Sequence, residues 1–392
     1  MNNGERNMTK FEELSDTELD RFSRQIMLEE IGYQGQLKLK NAKVCVVGTG
    51  GLGNPITTRL VAMGIGTLRI VDRDVIELSN LHRQTMFDED DVGKVKVEVA
   101  GWKLKKLNPD CDIKSLSISV NDYTALEVIE GCDVVVDALD NVNARYALNK
   151  ACVKLKIPFV TGAAVGVSGQ IFTILPGTSA CYHCMFPALD EDTMPTCGTE
   201  GVHPSILEVV GGIEVAEVVK IILGKKPNLS DKMLHINIEN LDFTSTQTFR
   251  AEECPVCGTG ILKESVKEEF ITEELCSRNH GKRTFSITPT STRILDEMMV
   301  LGIAKDNGFH NTKQLKQNYA QLVSKRDDIS ISFMTNGSAI VVGCKDEKSA
   351  ISLYNKLIWY SNDDDGITEF DEVLKRLDDE ISLLDAECRE LK

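Results

Sequence analysis

Two stretches of the chain could do chemistry by residue type and spacing alone. Cys181 and Cys184 in "CYHC", with Cys254 and Cys257 in "CPVCG", make two C-x-x-C pairs, the arrangement in which four thiolates close around a tetrahedral zinc ion. Four thiolates leave no open position, so the predicted role is structural: the ion would tie the far end of a domain back on itself. A dithiol redox motif fits less well, since neither pair reads as opening a helix behind a strand. His183, between two of the ligands, is expected to be exposed rather than coordinating. The second stretch, "KVCVVGTGGLGNP" from Lys43 to Pro55, is an apolar run that breaks into Gly48, Gly50, Gly51 and Gly53. Gly48, Gly50 and Gly53 match G-x-G-x-x-G between a strand and a helix, where backbone N–H groups and the helix N-terminus face a phosphate.

Alone, that turn favours a nicotinamide or flavin dinucleotide, with Asp72 at the end of the next strand bonding a ribose hydroxyl. The residues behind Asp72 shift the reading. "VDRDVIELSNLHRQTMFDEDDVGKVKVE" brings Asn80, Arg83, Gln84 and Lys96 soon after the ribose acid. Two cations there exceed what a neutral nicotinamide needs and suit a polyphosphate, Arg83 by bidentate contacts and Lys96 as a point charge. "DALDN" ends another strand with Asp137 and Asp140, at the carboxyl edge where such sheets bind ligands. Asp140 lies beyond the apolar run and is the better candidate for a Mg²⁺ ligand.

The motifs "RFSRQI", "GTGGLG", "VDRDVIELSNLHRQ", "GKVKVE", "DALDN", "CYHC", "TCGTEGV" and "CPVCG", in this order, resemble the ThiF/MoeB/HesA family, relatives of the ubiquitin-activating enzymes. The resemblance runs from about Leu14 to Gly258. It implies ATP-dependent adenylation of the C-terminal glycine of a small ubiquitin-like or sulfur-carrier protein, with Asp72 on the ribose, Asn80, Arg83 and Lys96 on the phosphates, and Asp140 on Mg²⁺. It also implies that Arg24 reaches the ATP of a neighbouring subunit, so that a homodimer completes the site. Cys197, among the turn formers of "MPTCGTEGVHP", sits where family members often carry a cysteine used for a thioester or an acyl disulfide. The following "VHPSILEVVGG" departs from the family's usual "GVxGPxxGVxG". The alternative reading is an NAD-dependent oxidoreductase built on the same turn.

The elements that must hold these residues follow from pattern. Strands are predicted at Lys43–Val47, "TLRIVD", "DIKSLSISV", "CDVVVDAL", "PFVTGAAV" and "GQIFTILP", and helices at "PITTRLVAMGIG", "KVKVEVAGWKLKKLNP", "RYALNKACVKLK" and "PSILEVVGGIEVAEVVKIILG". That alternation predicts an α/β, doubly wound Rossmann-like, mainly parallel sheet. One or two helices precede it. Cys45, Cys132 and Cys152 fall in strand or helix patterns and are expected in the core.

The domain expectations are an adenylation domain over residues 1–262, a charged connector over 263–283, a small α+β domain over 284–362 and an amphipathic heptad helix over 363–392. In the small domain "RTFSIT" and a hairpin around Asn336-Gly337 read as strands. The connector's successor could dock the modifier or a downstream carrier enzyme, and it carries no cysteine in a rhodanese-like loop. The 392 residues bury a large core without disulfides, and a net charge of −16 argues against a nucleic-acid partner. No apolar run reaches the roughly 18–20 residues that span a bilayer, and the start lacks a signal-peptide core, so a cytoplasmic location without membrane association is expected.

Overall fold

The computed structural model describes residues 13–189, 200–261, 270–279, 282–289, 295, 297–314, 322–326, 329–333 and 337–358. The chain divides into two compact units at Lys263/Glu264. Cys197, Asn336 and the heptad segment 363–392 lie outside the described residues.

The first unit is built on an eight-stranded sheet of order β3-β2-β1-β4-β5-β6-β7-β8. Its strands are β1 (Lys43–Val47), β2 (Thr67–Val71), β3 (Asp112–Leu116), β4 (Val134–Asp137), β5 (Phe159–Val165), β6 (Ser168–Ile174), β7 (Lys232–Asn237) and β8 (Asp242–Gln247). β3 through β5 pair in parallel, and β5 to β8 continue as antiparallel neighbours. The strands at the centre are apolar on both faces: β4 is buried at every position and β1 at all but its first. Such two-sided burial is what parallel strands covered by helices require.

Three short helices lead in, α1 (Asp16–Arg21), α2 (Ser23–Ile26) and α3 (Gly32–Asn41). Ser15 and Glu18 form a reciprocal capping box at the first. The crossovers are α4 (Gly53–Ala62), α5 (Lys96–Leu107), α6 (Ala125–Ile129) and α7 (Val142–Leu155), followed by the single-turn α8 (Tyr182–Met185) and the long α9 (Pro204–Leu223). α4 packs with α5 and α9, and α6 packs with α7. Right-handed crossovers put these two groups on opposite faces, because the strand order reverses between β1 and β4. That reversal opens a crevice at the carboxyl ends of β1 and β4, where the glycine turn lies.

The β7–β8 hairpin has no counterpart in the expected elements, and the reason is physical. All six residues of β8 are exposed, so its sequence "DFTSTQ" carries no alternation to read.

The second unit is a six-stranded antiparallel sheet of order β11-β12-β13-β14-β10-β9. It contains β9 (Phe270–Asn279), β10 (Lys282–Pro289), β11 (His310–Gln314), β12 (Leu322–Arg326), β13 (Ile329–Phe333) and β14 (Ala339–Val342), with helices α10 (Glu297–Asp306) and α11 (Glu347–Leu357). Phe285, Ile287, Ile331, Phe333, Val341 and Tyr354 are among its core residues. The expected hairpin strands do pair, Phe333 opposite Ala339. Residues 270–279, by contrast, were expected in a charged connector and form β9 instead. β9 is the outermost strand of that sheet, and Glu274 on it is exposed. Among the described residues no helix is long and apolar enough to cross a membrane.

Candidate active site

The glycine turn is held by contacts that only glycine permits. Gly48 has φ +97°, and a Cβ there would stand 2.4 Å from the Ala138 carbonyl oxygen. A Cβ on Gly53 would stand 2.0 Å from the Gly48 carbonyl oxygen. These two close the strand-to-helix turn. Gly50 differs: a Cβ there would have only Gln84 Nε2 nearby, at 3.7 Å. Its surroundings are open enough for a ligand to approach the backbone.

Asp72 braces that turn. The Thr49 N–H and hydroxyl donate to Asp72 Oδ2 at 2.7 and 2.9 Å, and the Asp74 N–H donates to Oδ1 at 2.9 Å. Burial raises the Asp72 carboxyl above its usual value, opposed by the Lys96 charge and reinforced by Asp74. Asn54 ties the other side: its Nδ2 donates to the Thr49 carbonyl at 2.7 Å and its Oδ1 accepts the Met86 N–H at 2.8 Å. The segment bearing Asn80, Arg83 and Gln84 is thereby fastened to the turn.

Asn80 is buried, its Oδ1 accepting the Glu77 N–H at 3.0 Å. Gln84 is 2% exposed, with its Nε2 beside Gly50 and its buried Oε1 without a hydrogen-bond partner. Arg83 is half-buried and donates from Nη1 to the Ser79 carbonyl at 2.8 Å. Lys96, 5% exposed, opens α5, with its Nζ 2.8 Å from Asp74 Oδ2. Desolvation disfavours its charge, yet Asp74 and Asp72 outweigh that and raise its pKa, with Asp140 contributing. Lys96 is therefore a fixed cation beside the turn. Burial also acts on Asp74, but Lys96 and Arg73 hold it below its usual value.

Of the two acids after β4, Asp137 is fully buried and engaged. Its Oδ2 stands 3.1 Å from Arg145 Nε and accepts the Thr161 hydroxyl at 2.5 Å, and its Oδ1 accepts the Leu139 N–H at 2.9 Å. Arg145 also donates from Nη2 to the carbonyls of Leu139 and Gly162. This pair fixes the loop that presents Asp140, which is exposed and available to a cation. Arg24 is exposed on α2 and takes part in none of these contacts.

The four cysteines converge. Their Sγ atoms all lie within 4.8 Å of one another, with 3.7 Å for Cys181–Cys184, 3.7 Å for Cys181–Cys254 and 3.4 Å for Cys184–Cys257. Tetrahedral zinc with Zn–S of about 2.3 Å puts its sulfurs about 3.8 Å apart, so the donor set fits that ion. The Ala251 N–H points at Cys184 Sγ at 3.4 Å, a contact of the kind that orients a metal-ligating sulfur. Against expectation, one pair does open a helix, since Cys181 is the N-cap of α8. The convergence of both pairs is what fits a metal centre. His183 is outside the cluster, half-buried with its ring edge-on to Tyr146. Cys45, Cys132 and Cys152 are buried as expected.

The departure after Gly201 has a local outcome. His203 caps α9 through Nδ1, which accepts the Ser205 N–H at 3.2 Å, and Pro204 takes the first helical position. Thr49, Asn54, Asp74 and Arg145 were not among the residues read from sequence. Asp74 could have been found, because "DRD" puts two acids ahead of one lysine; the other three are defined by long-range contacts.

A doubly wound nucleotide-binding domain with a four-cysteine centre is the class that this fold and site define. The chain belongs to the ThiF family, whose model matches residues 22–256. It is 41% identical over 266 residues to the "Adenylyltransferase and sulfurtransferase MOCS3" of Aedes aegypti, a match covering 67% of this chain and 60% of that protein. It is also 41% identical over 248 residues to the "SAMP-activating enzyme E1" of Haloferax volcanii, covering 63% of this chain and 92% of that one. Among solved structures, E. coli MccB with ATP aligns with a TM-score of 0.55 and 31% identity over 61% of this chain and 74% of MccB. The matched region is about three fifths of the length of the MOCS3 relative.

Proposed function

We propose that this protein uses ATP to adenylate the C-terminal glycine of a small ubiquitin-like or sulfur-carrier protein, releasing pyrophosphate. The observation that carries the reading is the buried Lys96, held charged by Asp74 and by Asp72, the acid that braces the glycine turn. A fixed cation at that point suits a triphosphate and has no task beside a nicotinamide ring, so the oxidoreductase reading is not favoured. The names of the MOCS3 and SAMP relatives and the ATP complex of MccB support the same choice.

In this reading a carboxylate oxygen of the carrier's last glycine attacks the α-phosphorus of ATP. A carboxylate O–P bond forms as the Pα–O bond to pyrophosphate breaks. No general base is needed, because a C-terminal carboxylate is already ionised at neutral pH. Charge building on the phosphoryl oxygens and the leaving group is met by Lys96, Arg83 and the N–H groups of the glycine turn. Asp72 and Asn80 orient the nucleotide. Mg²⁺, when bound, supplies further charge neutralisation, and Asp140 would hold it; Zn²⁺ would be held by Cys181, Cys184, Cys254 and Cys257 as a structural ion.

Cys197 is proposed to take the activated carboxyl: its thiolate would displace AMP to give a thioester, or, carrying a persulfide sulfur delivered by a separate sulfur donor, it would displace AMP to give an acyl disulfide. A homodimer in which Arg24 serves the neighbouring site belongs to the same reading; exposed Met27 and Leu28, just beyond Arg24, give that surface an apolar patch. The second unit is proposed as a docking module for the carrier or a downstream enzyme, with the heptad segment adding a contact, and the location is proposed as cytoplasmic. The test is ATP–pyrophosphate exchange in the presence of carriers ending in Gly-Gly. Exchange that requires the carrier supports the function; nicotinamide-dependent absorbance change without exchange overturns it.

A further inference from the structure

The residue after Asp72 is an arginine that reaches across to the loop of the neighbouring strand. β2 and β3 pair as far as Val71 and Leu116, and the Asp72 N–H still donates to the Leu116 carbonyl at 3.1 Å. Arg73 is the first residue past that ladder, and its Nη1 donates to the Ser119 hydroxyl at 3.3 Å. Ser119 is buried in a turn held by its own neighbours. The Thr124 hydroxyl donates to the Ser119 carbonyl at 2.7 Å, and Asn121 Oδ1 accepts the N–H groups of Tyr123 and Thr124 at 2.9 and 3.1 Å. The arginine is thus anchored on a fixed loop. Asp74 stands 4.0 Å from Arg73 Nε but 2.8 Å from Lys96 Nζ, so the lysine is that acid's principal partner. A hydrogen bond made in the guanidinium plane fixes that plane without covering its faces.

In the strand order β3-β2-β1-β4 the glycine turn follows β1 and Asp72 follows β2. A nucleotide with its phosphates on the first and its ribose on the second runs along the carboxyl edge of the sheet toward β3, which brings its base to the gap that Arg73 and Ser119 bridge. We propose that Arg73 is the specificity-determining residue for the base: its guanidinium stacks on the purine of ATP and favours purine over pyrimidine nucleotides. This rests on the function proposed above. Arginine planes stack on nucleobases, and the larger ring system of a purine gains more from the contact. Lysine is no substitute, because its ammonium is a point charge without a plane. Asp72 bonds Thr49 in the glycine turn, whereas Arg73 reaches the other way, to the loop after β3, so its contribution falls on the base and not on the phosphates.

The test uses the full-length, zinc-loaded protein and two non-reacting probes, α,β-methylene-ATP and α,β-methylene-CTP, titrated calorimetrically in the presence of Mg²⁺. Wild type is expected to bind the purine probe at least about tenfold more tightly than the pyrimidine probe, the scale of one well-placed stacking contact. Arg73→Met and Arg73→Lys are each expected to weaken the purine probe about five- to tenfold and the pyrimidine probe less than about twofold, so that the preference collapses. Equal weakening of both probes would assign Arg73 to the phosphates or to the fold and overturn the proposal. Purine affinity retained in Arg73→Lys would make charge the cause and overturn it too, as would a wild type without preference or without binding to either probe. Carrier-dependent ATP–pyrophosphate exchange, read beside the titrations, separates the two readings. Binding with the expected preference but no exchange sinks the adenylation reading and upholds the base assignment; exchange with no preference does the reverse. Should both Arg73 variants fold poorly, Ser119→Ala removes the anchor and leaves the arginine. It is expected to reduce the preference about threefold, the scale of one hydrogen bond, and an unchanged preference would overturn the proposal.

Discussion

The Lys96 ammonium stands 2.8 Å from the Asp74 carboxylate, and the same lysine lowers the cost of ionising Asp72, the acid that braces the glycine turn. One cation thus serves two acids, and the three groups act as a unit. Lys96→Met is expected to reduce carrier-dependent pyrophosphate exchange roughly 100- to 1,000-fold, the scale of losing a charged group aimed at developing charge. Asp74→Asn keeps the cation but loosens its orientation, and roughly a tenfold loss in kcat/KM is expected. Equal losses for the two variants would contradict this ordering.

The glycines separate into those needed by the fold and one available to the ligand. Gly48→Ala and Gly53→Ala would place Cβ atoms 2.4 and 2.0 Å from backbone oxygens, so both are expected to destabilise the first unit by more than about 2 kcal/mol. Gly50→Ala has no such clash. It is expected to leave thermal unfolding within about 2 °C of wild type while raising the KM for ATP several-fold. Differential scanning calorimetry beside exchange kinetics reads both; a Gly50→Ala protein that melts early would refute the division.

The cysteine centre joins segments 73 residues apart, Cys181 to Cys254 and Cys184 to Cys257. An ion holding both pairs removes much of the freedom that loop has when unfolded. Cys184→Ser, or treatment with a strong chelator, is expected to release about one zinc per chain and lower the melting temperature by roughly 5–10 °C. Metal analysis by mass spectrometry alongside the melting curve checks this. A preparation with no bound zinc and an unchanged melting point after Cys184→Ser would remove the metal from the fold.

Much of this was legible in the sequence where one residue type has one physical use. The run Lys43–Val47 and its glycines specify a strand and a turn because a short, β-branched run broken by glycines suits a buried strand, and the cysteine spacing specifies a cluster. Asn54 and Arg145 were not legible. Each works through main-chain groups far along the chain, Asn54 on Met86 and Arg145 on Gly162, and spacing carries no information about such partners. β8 escaped for a related reason: an outer strand whose residues are all exposed lacks the alternation that burial imposes. Helix limits moved by a turn or less, as at α4, which begins at Gly53 instead of Pro55 because the turn's last glycine already has helical geometry.

Glu214 gives the pH dependence its direction. It is fully buried on α9 against Gly162, where a Cβ would come within 2.7 Å of its carboxyl carbon, and neither of its oxygens has a hydrogen-bond partner. Desolvation pushes its pKa well above the ordinary carboxylate value; nearby Asp137 adds to the rise and Arg145 only partly opposes it. The native state therefore keeps a proton that the unfolded chain gives up above about pH 4.5. Where the native state binds more protons, stability falls as pH rises. The contribution is complete below the unfolded-state value and is lost progressively up to the folded one. Glu98, pushed up to about 7 by desolvation, acts in the same direction. Glu214→Gln removes the ionisation, so the variant is expected to exceed wild type in stability by on the order of 1–3 kcal/mol near pH 8, with the gap closing toward pH 4.5. Urea unfolding at a series of pH values measures it, and a gap independent of pH would mean that Glu214 keeps no extra proton in the native state.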